Sequence, residues 1–403
     1  MAVNLSPPKN ILPVPGVRLA AVSSGVKGER DDLALVVFDP TAVVAGVYTQ
    51  SAFAAPPGWS AEERERTARG WLANSGNANA ATGEPGRKDA IDLCQQAASV
   101  LELESSSLQP FSTGVIGERL PMDKLVAAIP RLATSLKPDN WLAFASAIMT
   151  TDTVAKAVSE QVTIDGEAIS VTGVAKGSGM IKPNMATMLG YIACNATVSG
   201  EVLRQLVVEV ADASFNRITV DGDTSTNDCF MLCASGASAM NPIVSTNDPR
   251  LLKLKHTLAS VAKTLAQSIV RDGEGATKFV TVTVSGGASW AECLAVGYTV
   301  AESPLVKTAL FAGDANWGRF CMAIGRAQID GLDAAGVSLW LDEVEVAHQG
   351  LMSASYSEEA GAAVLAKDEF EVRIDLGRGA STETIWTTDL SYDYVRINAE
   401  YRS

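Results

Sequence analysis

Thr187 has the most favourable setting for nucleophilic chemistry in this sequence. It follows the small Ala186 within an apolar run, and Gly177, Gly179 and Pro183 come shortly before it. Glycine permits backbone conformations that a Cβ would block, and proline fixes φ, so this stretch predicts a shaped loop that leads into a buried element. A hydroxyl at that point is a candidate nucleophile, although a threonine in an apolar strand is by itself more often a core residue.

The base that such a nucleophile needs is not an evident histidine. His256 and His348 are the only two histidines, and His256 lies in an amphipathic run where a surface position is favoured. A Ser-His-Asp triad and a histidine-rich zinc site are therefore poorly supplied. This scarcity favours another base, and a threonine nucleophile can use its own backbone nitrogen.

Metal ions and nucleotide cofactors are both disfavoured by the motifs. Asp221, Asp223 and Asp228 supply oxygen ligands, but Leu232 stands where an EF-hand loop needs its last glutamate. The glycines around Ser178 lack the third glycine of a dinucleotide fingerprint, and no GxxxxGK[ST] motif occurs. The six cysteines show no CxxC spacing. We expect no metal and no cofactor, and we expect the acidic segment to be a hydrogen-bonded turn near the active site.

Composition and charge narrow the class of partner. The 403 residues are 47% hydrophobic and 19% charged, which is enough for two domains with real cores. The 32 basic and 46 acidic residues give a net charge of −14, which disfavours nucleic acid as a partner. The first residues do not resemble a signal peptide, and no apolar stretch is long enough to span a membrane. We expect a cytoplasmic protein that binds small polar metabolites and no membrane.

The strands that must position these residues are short and apolar. Runs at Leu33–Phe38 and Val43–Thr49 predict two strands joined by a tight turn. Asp165-Gly166 predicts a hairpin just before the glycine-bearing loop. Cys229–Cys233 predicts a strand directly after the acidic turn, and Asn74–Gly86 predicts a long loop that composition alone would place at the surface.

Two helix predictions and a linker complete the expected architecture. Ser60-Ala-Glu-Glu63 has the spacing of a capping box and predicts a helix through Arg69, and Pro249–Val270 predicts a long helix. Residues 241–249 are the best candidate for a linker between two domains. Helices and strands alternate without a strict βαβ rhythm, so we expect an α/β (α+β) fold, a layered sandwich of mixed sheets and helices.

Ordered motifs over the whole chain carry a family resemblance. Lys176-Gly-Ser-Gly-Met180 and Pro183-Asn-Met-Ala-Thr-Met-Leu189 resemble the signature of the ornithine acetyltransferases, the self-cleaving family also called bifunctional glutamate N-acetyltransferases of arginine biosynthesis. The resemblance continues through Asn74–Ala80, Ser112–Gly117, Thr150–Thr153, Asp221–Asp228, Arg271–Thr277, Asn316–Arg319 and Ile397–Asn398.

The resemblance implies a self-cleaving acetyltransferase. The peptide bond between Ala186 and Thr187 would break, giving an alpha chain of residues 1–186 and a beta chain of residues 187–403 with the site at their junction. The free α-amine of Thr187, with a reference pKa of about 7.7–8.0, would then act as the base. The acetyl group of N2-acetyl-L-ornithine would pass to Thr187 and from there to L-glutamate in a ping-pong sequence.

The resemblance also implies roles for further residues. Thr113 and Gly114 match oxyanion positions, whereas a Thr-Gly pair alone would indicate only an ordinary turn. By charge, we assign Lys176 to the substrate α-carboxylate and Glu274 to the δ-ammonium group of acetylornithine. Ser403 stands where many members have threonine, and it keeps the hydroxyl. The positions that match family substrate contacts are Thr150, Lys176, Thr187, Glu274, Asn398 and Ser403.

Three alternatives stay open at the level of sequence. The enzyme could also use acetyl-CoA as a donor, since no CoA motif decides the matter. A related self-processing fold supports aminopeptidases, which would make this chain an amidohydrolase if water takes the acyl group. A noncatalytic interaction protein is the third alternative. The family resemblance further implies a heterotetramer of two alpha and two beta chains.

Overall fold

Strands and helices alternate along the chain in a computed structural model that describes residues 2–182 and 188–400. In chain order the strands are β1 (Val17–Val22), β2 (Leu33–Phe38), β3 (Val43–Tyr48), β4 (Gly70–Asn77), β5 (Leu108–Val115), β6 (Lys156–Ile164), β7 (Glu167–Lys176), β8 (Leu189–Cys194), β9 (Cys229–Ala234), β10 (Phe279–Gly287), β11 (Ser338–Leu341), β12 (Val344–His348), β13 (Leu351–Met352), β14 (Glu369–Asp375) and β15 (Ser381–Thr388).

The helices are mostly short, and α2 and α6 are the longest among the described residues. In chain order they are α1 (Pro56–Glu63), α2 (Gly83–Val100), α3 (Met122–Thr134), α4 (Trp141–Ala147), α5 (Gly200–Asp212), α6 (Pro249–Arg271), α7 (Trp290–Ala301), α8 (Pro304–Ala312), α9 (Trp317–Gly325), α10 (Glu358–Leu365) and α11 (Tyr392–Ala399). Single 3-10 turns lie at Glu65–Thr67, Phe215–Arg217 and Ala334–Gly336.

The strands form three sheets, and each sheet is mixed. The first has the order β1-β2-β4-β5, the second β3-β9-β8-β7-β6, and the third β13-β12-β11-β14-β10-β15. One neighbouring pair in each sheet is parallel, namely β4 with β5, β8 with β9, and β10 with β14, and the other pairs are antiparallel. The expected layered sandwich of mixed sheets and helices is therefore confirmed.

The first two sheets lie face to face, because their strands are apolar on both sides. Along β2, Val36 and its alternate neighbours pack toward the second sheet, whereas Leu35 packs toward α2 and α3. Along β8, Tyr191 packs toward the first sheet and Ile192 toward α5 and α6. Since successive side chains point to opposite faces of a strand, these runs bury both faces and build four layers, helix–sheet–sheet–helix.

An aromatic cluster lies at the centre of the two-sheet interface. The ring of Tyr191 lies 5.2 Å from that of Trp71 and 5.3 Å from the rings of Phe111 and Phe144, centroid to centroid. The Phe111 and Phe144 rings meet it edge to face, which is a favoured aromatic geometry. This packing fixes β5, α4 and β8 relative to one another, and Thr113, Gly114 and Thr150 lie at or just after the ends of β5 and α4.

The third sheet has its own apolar core with α7, α8, α9 and α10. Residues 241–249, the predicted linker, connect β9 to α6. Asp248 caps α6 by accepting the N–H of Arg250, and Pro249 occupies its first turn. The domain boundary there stays a prediction. No helix among the described residues is long and apolar enough to cross a bilayer.

One helix prediction is wrong in its bounds. The helix predicted from Ser60 to Arg69 instead begins at Pro56 and ends at Glu63, because a proline suits the first helical position. The buried Ser60 hydroxyl has no hydrogen-bond partner in the described part of the chain, so it caps nothing. The two strands predicted at Leu33–Phe38 and Val43–Thr49 are present, and a hydrogen bond from the Ala42 N–H to the Asp39 carbonyl closes the tight turn between them. They do not pair with each other, since β2 pairs with β1 and β4 while β3 pairs with β9.

Candidate active site

One cavity collects the predicted site residues from distant parts of the chain. It lies where β5 and β7 end and where β8 and β9 begin. Loop 272–278 and α11 also contribute to its lining. Ala186, Thr187 and Ser403 fall outside the described residues, but Met188 and Leu189, which follow directly, line the same cavity. The predicted residues that line it are Thr113, Gly114, Thr150, Lys176, Glu274 and Asn398.

The wall at the end of β5 requires glycine. Gly114 has φ +133, and a Cβ there would lie 2.3 Å from the carbonyl carbon of Gly76 on β4. The parallel ladder between β4 and β5 shifts register at this point. A side chain at residue 114 would therefore collide with the neighbouring backbone, which explains why the Thr113-Gly114 pair ends in glycine.

The loop before β9 is attached to this wall. Asn227 donates from Nδ2 to the carbonyl oxygens of Ala78 at 2.6 Å and Ser112 at 2.9 Å. The Ser112 hydroxyl donates to Asn74 Oδ1 at 2.6 Å. The Asn227 bonds join the loop of the second sheet to the first sheet beside Thr113. The position of the Thr113 hydroxyl therefore depends on both sheets.

The asparagine-rich stretch is buried, contrary to the surface loop that its composition predicted. β4 continues to Asn77, and α2 already begins at Gly83. Asn74 and Asn79 are 2% and 0% exposed. The Asn74 amide donates to the Asn77 carbonyl, Asn77 Oδ1 accepts the Asn79 N–H, and the Asn79 amide donates to Gly86. Amide side chains here replace the missing backbone partners of an irregular buried segment.

A cation lies at one end of the cavity. Lys176, at the end of β7, donates from Nζ to the Thr150 hydroxyl at 3.2 Å. Burial lowers the pKa of Lys176, while the nearby carboxylates of Asp152, Asp228 and Glu274 oppose that shift. Among the described residues no carboxylate forms an ion pair with Lys176, and a partly buried lysine of this kind is suited to bind an anionic group of a ligand.

Carboxylate and amide groups form a second part of the lining, which we call the glutamate end. Glu274, 9% exposed, accepts a hydrogen bond from Asn398 Nδ2 at 2.8 Å. A Cβ on Gly179 would lie 2.5 Å from Glu274 Cδ, so the glycine allows the loop to pass directly over this carboxylate. Asn398 comes from α11, which has no buried residue. The carboxylate of Glu274 is therefore buried, while the helix that carries its partner Asn398 is lightly packed.

Two acidic residues of the cavity were predicted only as part of a turn. Asp221 accepts the N–H groups of Met180 at 2.7 Å and Ile181 at 2.8 Å, so it shapes the glycine-bearing loop. Burial raises the pKa of Asp221 despite these donors. Asp228 is 4% exposed, and burial raises its pKa well above the ordinary range. The expected hydrogen-bonded turn near the site is thus present, and the family motif at this segment was its only sequence signal.

The arrangement suits a small zwitterionic substrate that carries an amide. The lining offers a lysine and a hydroxyl for a carboxylate, a carboxylate for an ammonium group, and the Thr113-Gly114 wall for the carbonyl. Preorganised donors beside a carbonyl are the usual means of stabilising the oxyanion of acyl transfer. The cavity combines recognition of charge with the ingredients of acyl chemistry.

Comparison with known proteins identifies related chains. A family model described as the ArgJ family matches residues 18–403. Two proteins named arginine biosynthesis bifunctional protein ArgJ, from Pseudomonas syringae pv. tomato and Pseudomonas fluorescens, are each 51% identical over 405 residues, covering all of both chains. The crystal structure of arginine biosynthesis bifunctional protein argJ from Bacillus halodurans is 37% identical, covers 53% of this chain and 100% of that chain, and has a TM-score of 0.51.

Proposed function

The chain belongs to the ArgJ family, and from this premise we propose that it transfers the acetyl group of N2-acetyl-L-ornithine to L-glutamate. The products are L-ornithine and N-acetyl-L-glutamate, which places the enzyme in arginine biosynthesis. The family matches the resemblance that the motifs predicted. The observation that carries the proposal is the convergence of Thr113, Gly114, Lys176 and Glu274 on one cavity, beside the residues that follow Thr187.

The first half of the reaction forms an ester. The α-amine of Thr187 accepts the proton of its own hydroxyl while Oγ attacks the acetyl carbonyl carbon. The Gly114 N–H and the Thr113 hydroxyl stabilise the oxyanion, and each such donor is worth on the order of 3 kcal/mol in barrier height. The amide C–N bond then breaks, and the proton passes to the departing ornithine nitrogen.

The second half reverses the roles of the groups. The α-amine of glutamate attacks the acetyl carbon of acetyl-Thr187, and the ester C–O bond breaks. The proton of the attacking amine passes to the α-amine of Thr187 and from there to its Oγ. One amide replaces another, so the exchange needs no activated donor.

Recognition of both substrates follows from the charges at the two ends. The α-carboxylate that both substrates carry binds Lys176 and Thr150. The δ-ammonium of acetylornithine binds Glu274, which Asn398 supports at 2.8 Å. Ser403, at the end of the chain, supplies a further hydroxyl to the substrate.

Self-cleavage between Ala186 and Thr187 creates the base. The break lies in the connection between β7 and β8, which pair antiparallel from Val171 with Cys194 to Lys176 with Leu189. The ladder would hold the alpha chain (1–186) and the beta chain (187–403) together after the cut. We propose that two such pairs form a heterotetramer in the cytoplasm.

A second donor is favoured by the name that the relatives carry, that of a bifunctional protein. We propose that acetyl-CoA can also acetylate Thr187. Formation of N-acetylglutamate from acetyl-CoA and glutamate, without acetylornithine, tests this directly. Release of acetate without any ornithine-dependent exchange would instead favour an amidohydrolase.

The deciding experiment for the proposed function uses Thr187→Ala. Wild-type protein should run as two fragments, one ending at Ala186 and one beginning at Thr187, and acetyl from labelled acetylornithine should attach to Thr187. The variant should stay uncut and lose at least about 10³-fold in transfer activity, because nucleophile and base disappear together. Mass spectrometry of both proteins checks the cut and the adduct. Labelled acetyl on another residue, or an uncut wild type with full activity, contradicts the mechanism.

A further inference from the structure

A buried carboxylate joins the two parts of the proposed carboxylate-binding end. Asp152 accepts the backbone N–H of Thr150 at 3.0 Å through Oδ2. Its Oδ1 accepts the backbone N–H of Gly177 at 2.8 Å. Thr150 and Lys176 therefore belong to two segments that share one anchor, although 26 positions separate the two residues in sequence.

The anchor is itself held from behind. Lys156 donates from Nζ to Asp152 at 2.6 Å and to Asp272 at 2.7 Å, and all three side chains are 0% exposed. Asp272 also accepts the backbone N–H of Thr153 at 2.9 Å and that of Val154 at 3.2 Å. Each of these buried groups would lose a hydrogen bond if it moved. The orientation of the Asp152 carboxylate is therefore fixed.

The charges of this network do not cancel at the cavity. Lys156 carries one positive charge against the two negative charges of Asp152 and Asp272, which leaves one negative charge. Of the three network residues, Asp152 is the one that accepts the backbone N–H groups of Thr150 and Gly177. The remaining negative charge therefore acts on Lys176, which follows Ala175 at the end of β7.

We propose that Asp152 is a positioning residue that holds Thr150 and Lys176 together as one site for the substrate α-carboxylate and keeps Lys176 charged. This inference rests on the proposed function, in which both substrates carry that carboxylate. Asp152 touches neither substrate; it acts through the two residues that do.

The electrostatics agree with that role. Burial alone would raise the pKa of Asp152, but the charges of Lys156 and Lys176 and the hydrogen bonds it accepts hold it below its usual range, so it is ionised at neutral pH. Burial lowers the pKa of Lys176, and the Asp152 carboxylate is the largest influence in the opposite direction. The charged groups that face Lys176 are Lys27, Asp152, Lys156, Asp228 and Glu274.

The test compares Asp152→Asn with Asp272→Asn on two substrates. N2-acetyl-L-ornithine carries the α-carboxylate, and N2-acetyl-L-ornithinamide lacks it. Asp152→Asn should raise KM for the acid about tenfold with kcat within about threefold, and it should cost little on the amide. Asp272→Asn is the matched control, because it removes a carboxylate from the same lysine but leaves both anchor bonds in place. It should lower thermal stability and leave the preference for the acid unchanged.

The pH dependence gives a second readout that a merely structural role would not move. The ratio of kcat/KM for the acid to that for the amide cancels the titration of the Thr187 α-amine. This ratio should fall as rising pH deprotonates Lys176. Without the Asp152 charge the pKa of Lys176 is lower still, so the fall should begin at lower pH in Asp152→Asn than in wild type or Asp272→Asn.

A milder variant keeps the inference testable if Asp152→Asn does not fold. Asp152→Glu retains the charge but displaces the carboxylate, so it should raise KM for the acid while the pH at which the ratio falls stays as in wild type. Equal losses on the acid and the amide in either folded variant would overturn the inference. So would an unchanged pH dependence in folded Asp152→Asn.

Failure of the proposed function would show itself separately. If wild-type protein transfers no acetyl group, calorimetry with L-ornithine and L-ornithinamide still measures recognition of the carboxylate. A wild-type preference for L-ornithine that Asp152→Asn abolishes would then support the positioning role by itself. A preference that the variant retains would contradict it.

Discussion

The two ends of the active-site cavity are built in different ways. Lys176 and Thr150 lie at the edge of the two-sheet sandwich and rest on a network of side chains that are 0% exposed. Glu274 lies in a loop, and its partner Asn398 belongs to a helix without a buried residue. Ornithine and glutamate share the α-carboxylate and differ in the side chain. In the proposed assignment, the residues held by the buried network bind what the substrates have in common, and the carboxylate whose partner lies on the exposed helix binds what differs.

The largest effect at either end is expected for Lys176→Met. Removing one partner of a buried charge interaction costs several kcal/mol, so KM should rise about 10²-fold. Acetylornithine and glutamate should suffer alike, since both present the α-carboxylate. Steady-state kinetics with each substrate varied in turn measures the effect.

Lys307→Met is the matched control for this variant. Lys307 is also buried, and burial lowers its pKa to about 8, but it donates to Thr387 and Thr388 away from the cavity lining. This variant should lose stability and keep both KM values. A Lys176→Met enzyme that discriminates strongly between the two substrates would break the comparison between the ends.

A smaller and one-sided effect is expected for Glu274→Gln. The substitution keeps the shape and the contact with Asn398 but removes the charge, so KM for acetylornithine should rise about tenfold. KM for glutamate, which has no side-chain ammonium, should not rise. Glu369→Gln, which alters an exposed carboxylate paired with Arg271, serves as the control. An equal rise in KM for both substrates would mean that Glu274 does not recognise the substrate side chain.

The smallest effect concerns stability and contrasts the two acids that flank Lys176. Burial raises the pKa of Asp228 well above its ordinary range, whereas Asp152 is held below it. An acid that is protonated in the fold and ionised in the unfolded chain loses stability as pH rises above the unfolded pKa of about 3.9. Asparagine does not titrate. Asp228→Asn should therefore match wild type near pH 4 and become the more stable protein at pH 8.

Chemical unfolding at the two pH values measures this difference. Asp152→Asn provides the contrast, because a carboxylate whose pKa is depressed contributes stability above the unfolded pKa, and that contribution is lost only as pH falls. It should be less stable than wild type at pH 8. An Asp228→Asn protein that is also less stable at pH 8 would show that Asp228 is ionised in the fold.

Local patterns predicted several of the regular elements that support the site. Leu33–Phe38 is a strand with the predicted bounds, and the helix predicted from Pro249 to Val270 ends one residue later. Asp165 and Gly166 turn the β6–β7 hairpin with φ values of 54 and 82, which these residue types tolerate. Such features depend on neighbours in the sequence, so the sequence alone was sufficient.

Partners across the fold were harder to predict. An apolar strand shows that it is buried, but it does not show which strand lies beside it. The strands β2 and β3 follow each other through a tight turn, yet they belong to different sheets. The asparagines of residues 74–79 resembled a surface turn because their composition carries no information about burial. The segment is buried because its amides bond one another and the backbone around them.

The sequence by itself determined the family, the kinds of groups in the site and several strands and helices, because motif order and local periodicity depend only on the order of residues along the chain. Only the tertiary structure decided that Lys156 meets Asp272 from 116 positions away and that Asp152 joins the segments of Thr150 and Lys176. It also decided that the pKa values of two aspartates beside the same lysine shift in opposite directions, that of Asp152 downward and that of Asp228 upward. The reason is physical: burial and long-range partners set the energy of a charge, and both arise only when the layers pack.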